Sequence, residues 1–291
     1  MAKHARSART IEKTRRGLIY AVLVIISVIW LIPFVYLIFQ SFSATSNPGS
    51  FFPAPGQWTF NNYGLLFTSN IAPFFRWWLN TLIIAIASAI LQTIFVLMTA
   101  YALSRLRFKG RQGIMKLILL LGMFPGFLGM VVIYMILRLF GLSSSIFSLI
   151  IVYVASSAMS YYIAKGFFDT IPKSLDEAVL IDGGNKNTVF WRIILPMSKP
   201  IIIYTVLVSF TGPWGDFMFA SLLSQSATDM AQKTVAVGLK ALLTTSPSAA
   251  LPNPYGLFCA GAVFVSIPIM ALFFWLQRYY VEGIAGGAVK G

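Results

Sequence analysis

The sequence predicts an all-α integral membrane protein of six transmembrane helices with both termini in the cytoplasm. Three observations carry that expectation. Of the 291 residues, 58% are hydrophobic and only 10% charged, against about a quarter charged in soluble domains. The apolar residues gather into six runs, each long enough to cross a hydrocarbon core of about 30 Å at about 1.5 Å per residue. Of the 22 Lys and Arg residues, eighteen fall on the N-terminal side of this threading and four (Arg76, Arg138, Lys233, Lys240) on the other. The positive-inside rule makes the first side cytoplasmic.

The same composition excludes several functions. A net charge of +14 does not point to nucleic acid, because the basic residues border apolar runs instead of forming a basic module. The single His4 lies in the N-terminal tail, so neither a zinc site nor a Ser-His-Asp arrangement has its parts. The Gly-rich piece GGNKNT at 183–188 lacks the spacing of a phosphate cradle. Cys259 has no partner for a disulfide and is expected to pack as a small apolar residue. No catalytic residue, metal or cofactor is expected, and no cleaved leader, since the first apolar run is long and no small-residue cleavage site follows it.

In chain order, residues 1–17 form a basic cytoplasmic tail that acts as a topology signal, and residues 18–282 form the transmembrane domain. The first span is Leu18–Phe39, with Pro33 inside it. Residues 41–77 form an outer loop whose Trp58, Phe60, Tyr63, Trp77 and Trp78 suit an interfacial belt. Span two is Leu79–Leu103, followed by a basic inner loop; span three is Leu117–Leu137, where Pro125 loosens the helix between Gly122, Gly126 and Gly129. Span four is Ile146–Phe167, span five Ile201–Leu223 and span six Tyr255–Leu276. A polar external loop, 224–254, separates the last two, and residues 283–291 form a cytoplasmic tail.

The most informative polar interruption is the inner loop 168–200. Its stretch from Pro172 to Pro200 holds Asp176, Glu177 and Asp182, three of only eight acidic residues. Ser174 and Glu177 have capping-box spacing, which predicts a short helix from about Leu175 to Asp182, stopped at Gly183-Gly184. A second short helix, Thr188 to Leu195, is expected to break at Pro196. A second unusual stretch is TGPWGDF, where Asp216 is the one acidic residue within an apolar span. A carboxylate at that depth faces a bundle interior or a wet cavity. Gly212-Pro213 is expected to break the helix there, and Trp214 and Phe217 offer flat faces suited to sugar C–H surfaces.

These residues carry a resemblance. Glu177-Ala178-Val179, then Gly183, then Ile193-Ile194-Leu195-Pro196 resembles the EAA loop of ABC importer permeases, with Val179 replacing a second Ala. WGDF resembles the W-N-D-F of span five in carbohydrate permeases, with Gly215 in place of Asn, and TVAVGL at 234–239 and the C-terminal QRYYVEGIAGGAVKG resemble the same subfamily, that of the second permease of maltose/maltodextrin-type importers. The resemblance implies the type I importer permease fold in a bacterial inner membrane. It assigns ATPase coupling to Glu177, Ala178, Val179, Asp182, Gly183, Leu195 and Pro196. It places Trp214, Gly215, Asp216 and Phe217 along the substrate pathway. Gly286, Gly287 and Lys290 become part of an extended, side-chain-poor tail at the ATPase interface.

The implied partners are a second permease subunit, an ATPase subunit dimer, an extracellular or periplasmic sugar-binding protein and a carbohydrate substrate. The chain itself has no nucleotide site, so hydrolysis falls to a separate subunit. The alternative from another class is an ion-coupled secondary carrier using Asp216, although such carriers usually show internal repeats and several intramembrane charges. A membrane-bound enzyme lacks the residues it would need.

Overall fold

Where water is absent, backbone N–H and C=O groups must be satisfied within the chain, so apolar runs fold as helices. The computed structural model describes residues 2–123, 126–143, 145–224, 230–244 and 251–288. Helix α1 is Ala2–Ser41, α2 Asn61–Thr68, α3 Phe74–Arg105, α4 Arg111–Met123, α5 Gly126–Leu139, α6 Ser148–Ala155 and α7 Ala158–Asp169. There follow α8 Lys173–Ile181, α9 Lys186–Thr188, a π turn Val189–Ile194 and α10 Leu195–Met197. The rest are α11 Lys199–Gly215, α12 Met218–Ser224, α13 Val235–Thr244 and α14 Pro254–Ala288. Among the described residues the strand-like pairing is an isolated antiparallel bridge, Ser43 to Trp58.

Among the described residues three helices are by themselves long and apolar enough to cross a membrane: Glu12–Ser41, Phe74–Arg105 and Pro254–Gln277. Three more candidates are bent pairs, which gives up to six spans if each pair counts as one. The expected third span corresponds to Arg111–Met123 and Leu128–Leu139, bent by 109°; Pro125 lies outside the described residues. The expected fourth span is not one straight helix: α6 and α7 meet at 44°. Ser157 Oγ donates to the carbonyls of Tyr153 (3.1 Å) and Val154 (2.8 Å), and such back-bonding bends helices.

The chain divides into two units. The first comprises Met1–Thr68 with Leu242–Phe264. Its helix α1 includes residues expected as a separate tail and carries Pro33 within it. None of its most apolar window is buried. Beyond α1 a polar knot orders the segment expected as an outer loop. Asn62 Nδ2 donates to the carbonyls of Ser41 (2.9 Å) and Ser43 (2.8 Å), and Asn253 Nδ2 donates to Ser43 (2.7 Å). Asn253 Oδ1 accepts from Ser46 Oγ and from the Gly256 N–H that opens α14. Buried amides of this kind are tolerated because their bonds are made. Phe39 packs edge-on against Trp58, ring centroids 5.9 Å apart.

The second unit comprises Ser69–Ala241 with Val265–Gly291. Helix α3 is its axis, with α6, α7 and α11 packed along it. One apolar cluster gathers Ile84, Leu149, Val152, Phe219 and Leu223. Further along α3, Val96, Ala100, Phe168, Val189 and Ile194 form the other. Trp77, expected in an interfacial belt, is instead fully buried. Its indole occupies the space beside Gly238, where a Cβ would stand 2.2 Å from the ring. Part of the expected polar loop 224–254 is therefore helix α13, fixed to the start of α3. Val235 N donates to Thr81 Oγ1 (2.8 Å), and Asn80 Nδ2 donates to the carbonyls of Ala231 (2.8 Å) and Lys233 (3.1 Å). Cys259 is buried, as a small packing residue should be.

Candidate functional site: the 169–198 loop and the Asp216 break

The loop begins where α7 ends. Pro172, with φ −57° and ψ 131°, turns the chain into α8. The predicted capping box does not form. The helix starts earlier, at Lys173, with Pro172 at its N-cap and no side-chain cap bond, because Ser174 already lies within the first turn. One face of α8 turns inward: Leu175 and Val179 pack on the inner apolar cluster, and Asp176 is buried. The other face presents Glu177, Ala178 and Ile181 outward, with Asp182 exposed beyond them.

The stop at Gly183 is as expected, and its geometry is a Schellman motif. Gly183 adopts φ +83°, Gly183 N donates to Leu180 O (3.3 Å), and Gly184 N donates to Val179 O (2.9 Å). A different capping box opens the next piece: Asn185 Oδ1 accepts from Thr188 N at 2.9 Å, and Asn185 N donates to Thr188 Oγ1 at 3.4 Å. The predicted break at Pro196 is displaced. The chain passes through a π turn and α10 before bending by 78° into α11. Pro196 has no N–H for the carbonyl four residues back, and Leu195 N bonds Phe190 O in the wider winding. Val189, Phe190 and Ile194 are buried, Leu195 is half-buried, and Trp191 and Pro196 are exposed.

The last turn of α3 grips this loop at four points. Tyr101 Oη donates to Lys186 O (2.7 Å), and Ser104 Oγ donates to Asp169 Oδ1 (2.6 Å). Arg105 Nη2 donates to Ile171 O (2.7 Å). Arg105 Nε lies 3.1 Å from Asp176 Oδ2, with the two side chains 2% and 9% exposed. This is a close charge contact, not an aligned hydrogen bond. Beside it lies a cavity of about 700 Å³ lined by Arg105, Arg107, Arg111, Asp176, Glu177 and Lys186, among others. Sequence reading missed this grip, since Arg105 entered it only as one more inner-side positive charge. A usable signal was the scarcity of acids: Asp176 required a partner.

At the second stretch, α11 continues through Gly212-Pro213 and ends at Gly215, so the expected break lies three residues too early. The break occurs at Asp216-Phe217. Asp216 Oδ1 accepts from Phe219 N (3.0 Å), satisfying an orphan donor of α12. Oδ2 accepts from Tyr153 Oη (2.6 Å). Both carboxylate oxygens are thus engaged inside the chain. Trp214 is buried against Phe210 and Trp78, centroids 5.9 and 6.0 Å away, whereas Gly215 and Phe217 are exposed. The four residues expected along a pathway therefore divide into one buried ring, one structural carboxylate and two outward positions.

The C-terminal stretch differs from the extended tail expected. Gly286 and Gly287 lie within helix α14; Lys290 lies outside the described residues. Among the described residues no cluster of three or more His, Cys, Asp or Glu side chains is placed to hold a metal ion.

Comparison with known proteins gives a consistent result. Residues 93–286, which include the loop, α11 and the start of the C-terminal stretch, match the family described as binding-protein-dependent transport system inner membrane component. The chain is 34% identical to the galactooligosaccharides transport system permease protein GanQ of Bacillus subtilis, over 88% of this chain and 90% of that one. It is 30% identical to the maltodextrin transport system permease protein MdxG of the same organism, over 99% and 100%. A chain in the crystal structure of a bacterial ABC transporter that imports the acidic polysaccharide alginate shares the fold, with a TM-score of 0.76 at 23% identity over 91% of this chain and 96% of that one.

Proposed function

The chain belongs to the family of binding-protein-dependent transport system inner membrane components, and from that premise we propose that it is the permease subunit of an ATP-driven carbohydrate importer. It is a transport subunit of the cell membrane and not an enzyme; hydrolysis belongs to separate ATPase subunits. It works with a second permease, a pair of ATPases and an external sugar-binding protein. Its six spans include the three bent pairs, both termini are cytoplasmic, and the pore forms between the two permeases.

The observation that carries this reading is the outward face of α8. Glu177, Ala178 and Ile181 project from a short helix that a Schellman stop ends and the inner cluster supports. That face receives the ATPase. Closure of the ATPase pair displaces α8, and the packed helices rotate as bodies to open the outer side. Phe217 and Gly215 face the pathway, while Trp214 and Asp216 hold the break that presents them.

The substrate is an oligosaccharide. Relatives named for galacto-oligosaccharides and for maltodextrin are about equally similar to this chain. Maltodextrin is the first candidate, because the maltodextrin permeases match nearly end to end. The test is ATP hydrolysis by the reconstituted complex with its binding protein, across maltodextrins, galacto-oligosaccharides and monosaccharides. Stimulation by maltodextrins alone is expected; stimulation by galacto-oligosaccharides alone would replace maltodextrin as substrate. Hydrolysis indifferent to every sugar would defeat the carbohydrate assignment.

A further inference from the structure

We infer that force applied to α8 leaves the loop through the last turn of α3, with Arg105 and Asp176 as the positioning residues that make the connection stiff. The inference rests on the importer reading and names the route that reading leaves open. Four attachments reach the loop from Tyr101, Ser104 and Arg105, three residues within a five-residue stretch of one helix that spans about 6 Å along its axis. They land on Asp169 and Ile171 before α8, on Asp176 inside it, and on Lys186 after the Gly183-Gly184 turn. Both arms flanking the glycine turn are therefore tied to the same short stretch of α3. The turn cannot act as a free hinge, and α8 moves only if the end of α3 moves with it.

The ion pair has a property that stability alone does not explain. Asp176 Oδ1 is buried without a hydrogen-bond partner, as is Arg105 Nη1, and among the described residues Arg105 is the ion-pair partner of the carboxylate. Buried ion pairs add little stability over well-packed apolar residues of similar volume, whereas removing one partner is costly. What such a pair supplies here is registration: it fixes one point of α8 against one point of α3. Helix α3 is the half-buried axis on which α6, α7 and α11 pack, so a displacement entering at Arg105 reaches most of the unit.

The experiment uses the reconstituted full complex and reads sugar taken up per ATP hydrolysed. Arg105→Met with Asp176→Leu removes both charges at similar volume, leaves no unpaired buried charge, and also removes the Arg105 bond to Ile171 O. It is expected to assemble and hydrolyse ATP but to lose about fivefold or more in uptake per ATP. Arg105→Lys, which keeps the charge, is expected to retain most of the ratio. Tyr101→Phe, which deletes only the hydroxyl on Lys186 O, is expected to lower the ratio without lowering the amount of complex, and it serves as the test if the paired variant does not assemble. Wild-type uptake per ATP in an assembled paired variant, or in Tyr101→Phe, overturns the inference alone. A wild-type complex whose hydrolysis ignores sugar overturns the carbohydrate reading and this inference together.

Discussion

Val179 and Gly184 occupy each other's space: a Cβ built on Gly184 would stand 2.6 Å from Val179 Cγ1 and 2.8 Å from the Val179 carbonyl oxygen. The valine, the one departure from the family's EAA pattern, is thus accommodated by a glycine five residues on. Gly184→Ala should therefore destabilise the loop by about 1–3 kcal/mol through overpacking. Val179→Ala should recover part of that loss in the double variant. Thermal unfolding of the purified complex for the two singles and the double checks it; simple additivity would show that the two positions do not interact.

Glu177 and Gly183 should fail in different ways. Glu177 is exposed, so Glu177→Ala is expected to leave the yield of complex unchanged while lowering uptake per ATP. Gly183 holds φ +83°, so Gly183→Val places a branched side chain where about 1–2 kcal/mol of backbone strain follows, lowering both yield and uptake. Wild-type transport in both variants would remove this helix from the coupling role.

Trp77 against Gly238 explains part of the TVAVGL run in packing terms. Gly238→Ala should push the indole out of its slot and cost about 1–3 kcal/mol. Trp77→Leu in the same chain should relieve the clash while leaving some unfilled space. Tryptophan fluorescence and unfolding midpoints of the three variants report the exchange.

Asp216 serves Phe219 N–H and Tyr153 Oη. Asp216→Ala should cost about 0.5–2 kcal/mol as a lost cap. Asp216→Asn keeps an oxygen for Phe219 and should cost less. Neither should make uptake depend on an ion gradient. Uptake that collapses with the proton or sodium gradient in wild type, and becomes gradient-independent in Asp216→Asn, would restore the carrier reading.

Much of the fold was legible because it rests on local signals. Composition gave the membrane class, and the glycine after Asp182 marked the end of α8. What was not legible depends on residues distant in sequence. Arg105 meets Asp176, and Trp77 meets Gly238, only after several helices have packed. Ser174 matched a capping box by spacing, yet Pro172 entered the helix first. Pro213 looked like a breaker, but a proline near the end of a helix leaves the remaining turn intact, and the chain opens instead where Asp216 can bind the next helix's first N–H groups. The bend at Ser157 depends on a hydroxyl turning back on its own helix, which a run of apolar residues does not announce.

The bare apolar stretch of α1 has a practical value. None of the described residues shelters it, so exchanging one greasy side chain for another between Leu18 and Val35 disturbs no packing among them. A saturation scan of that segment would therefore act as a contact print: each position that refuses substitution marks where something outside the chain presses on it.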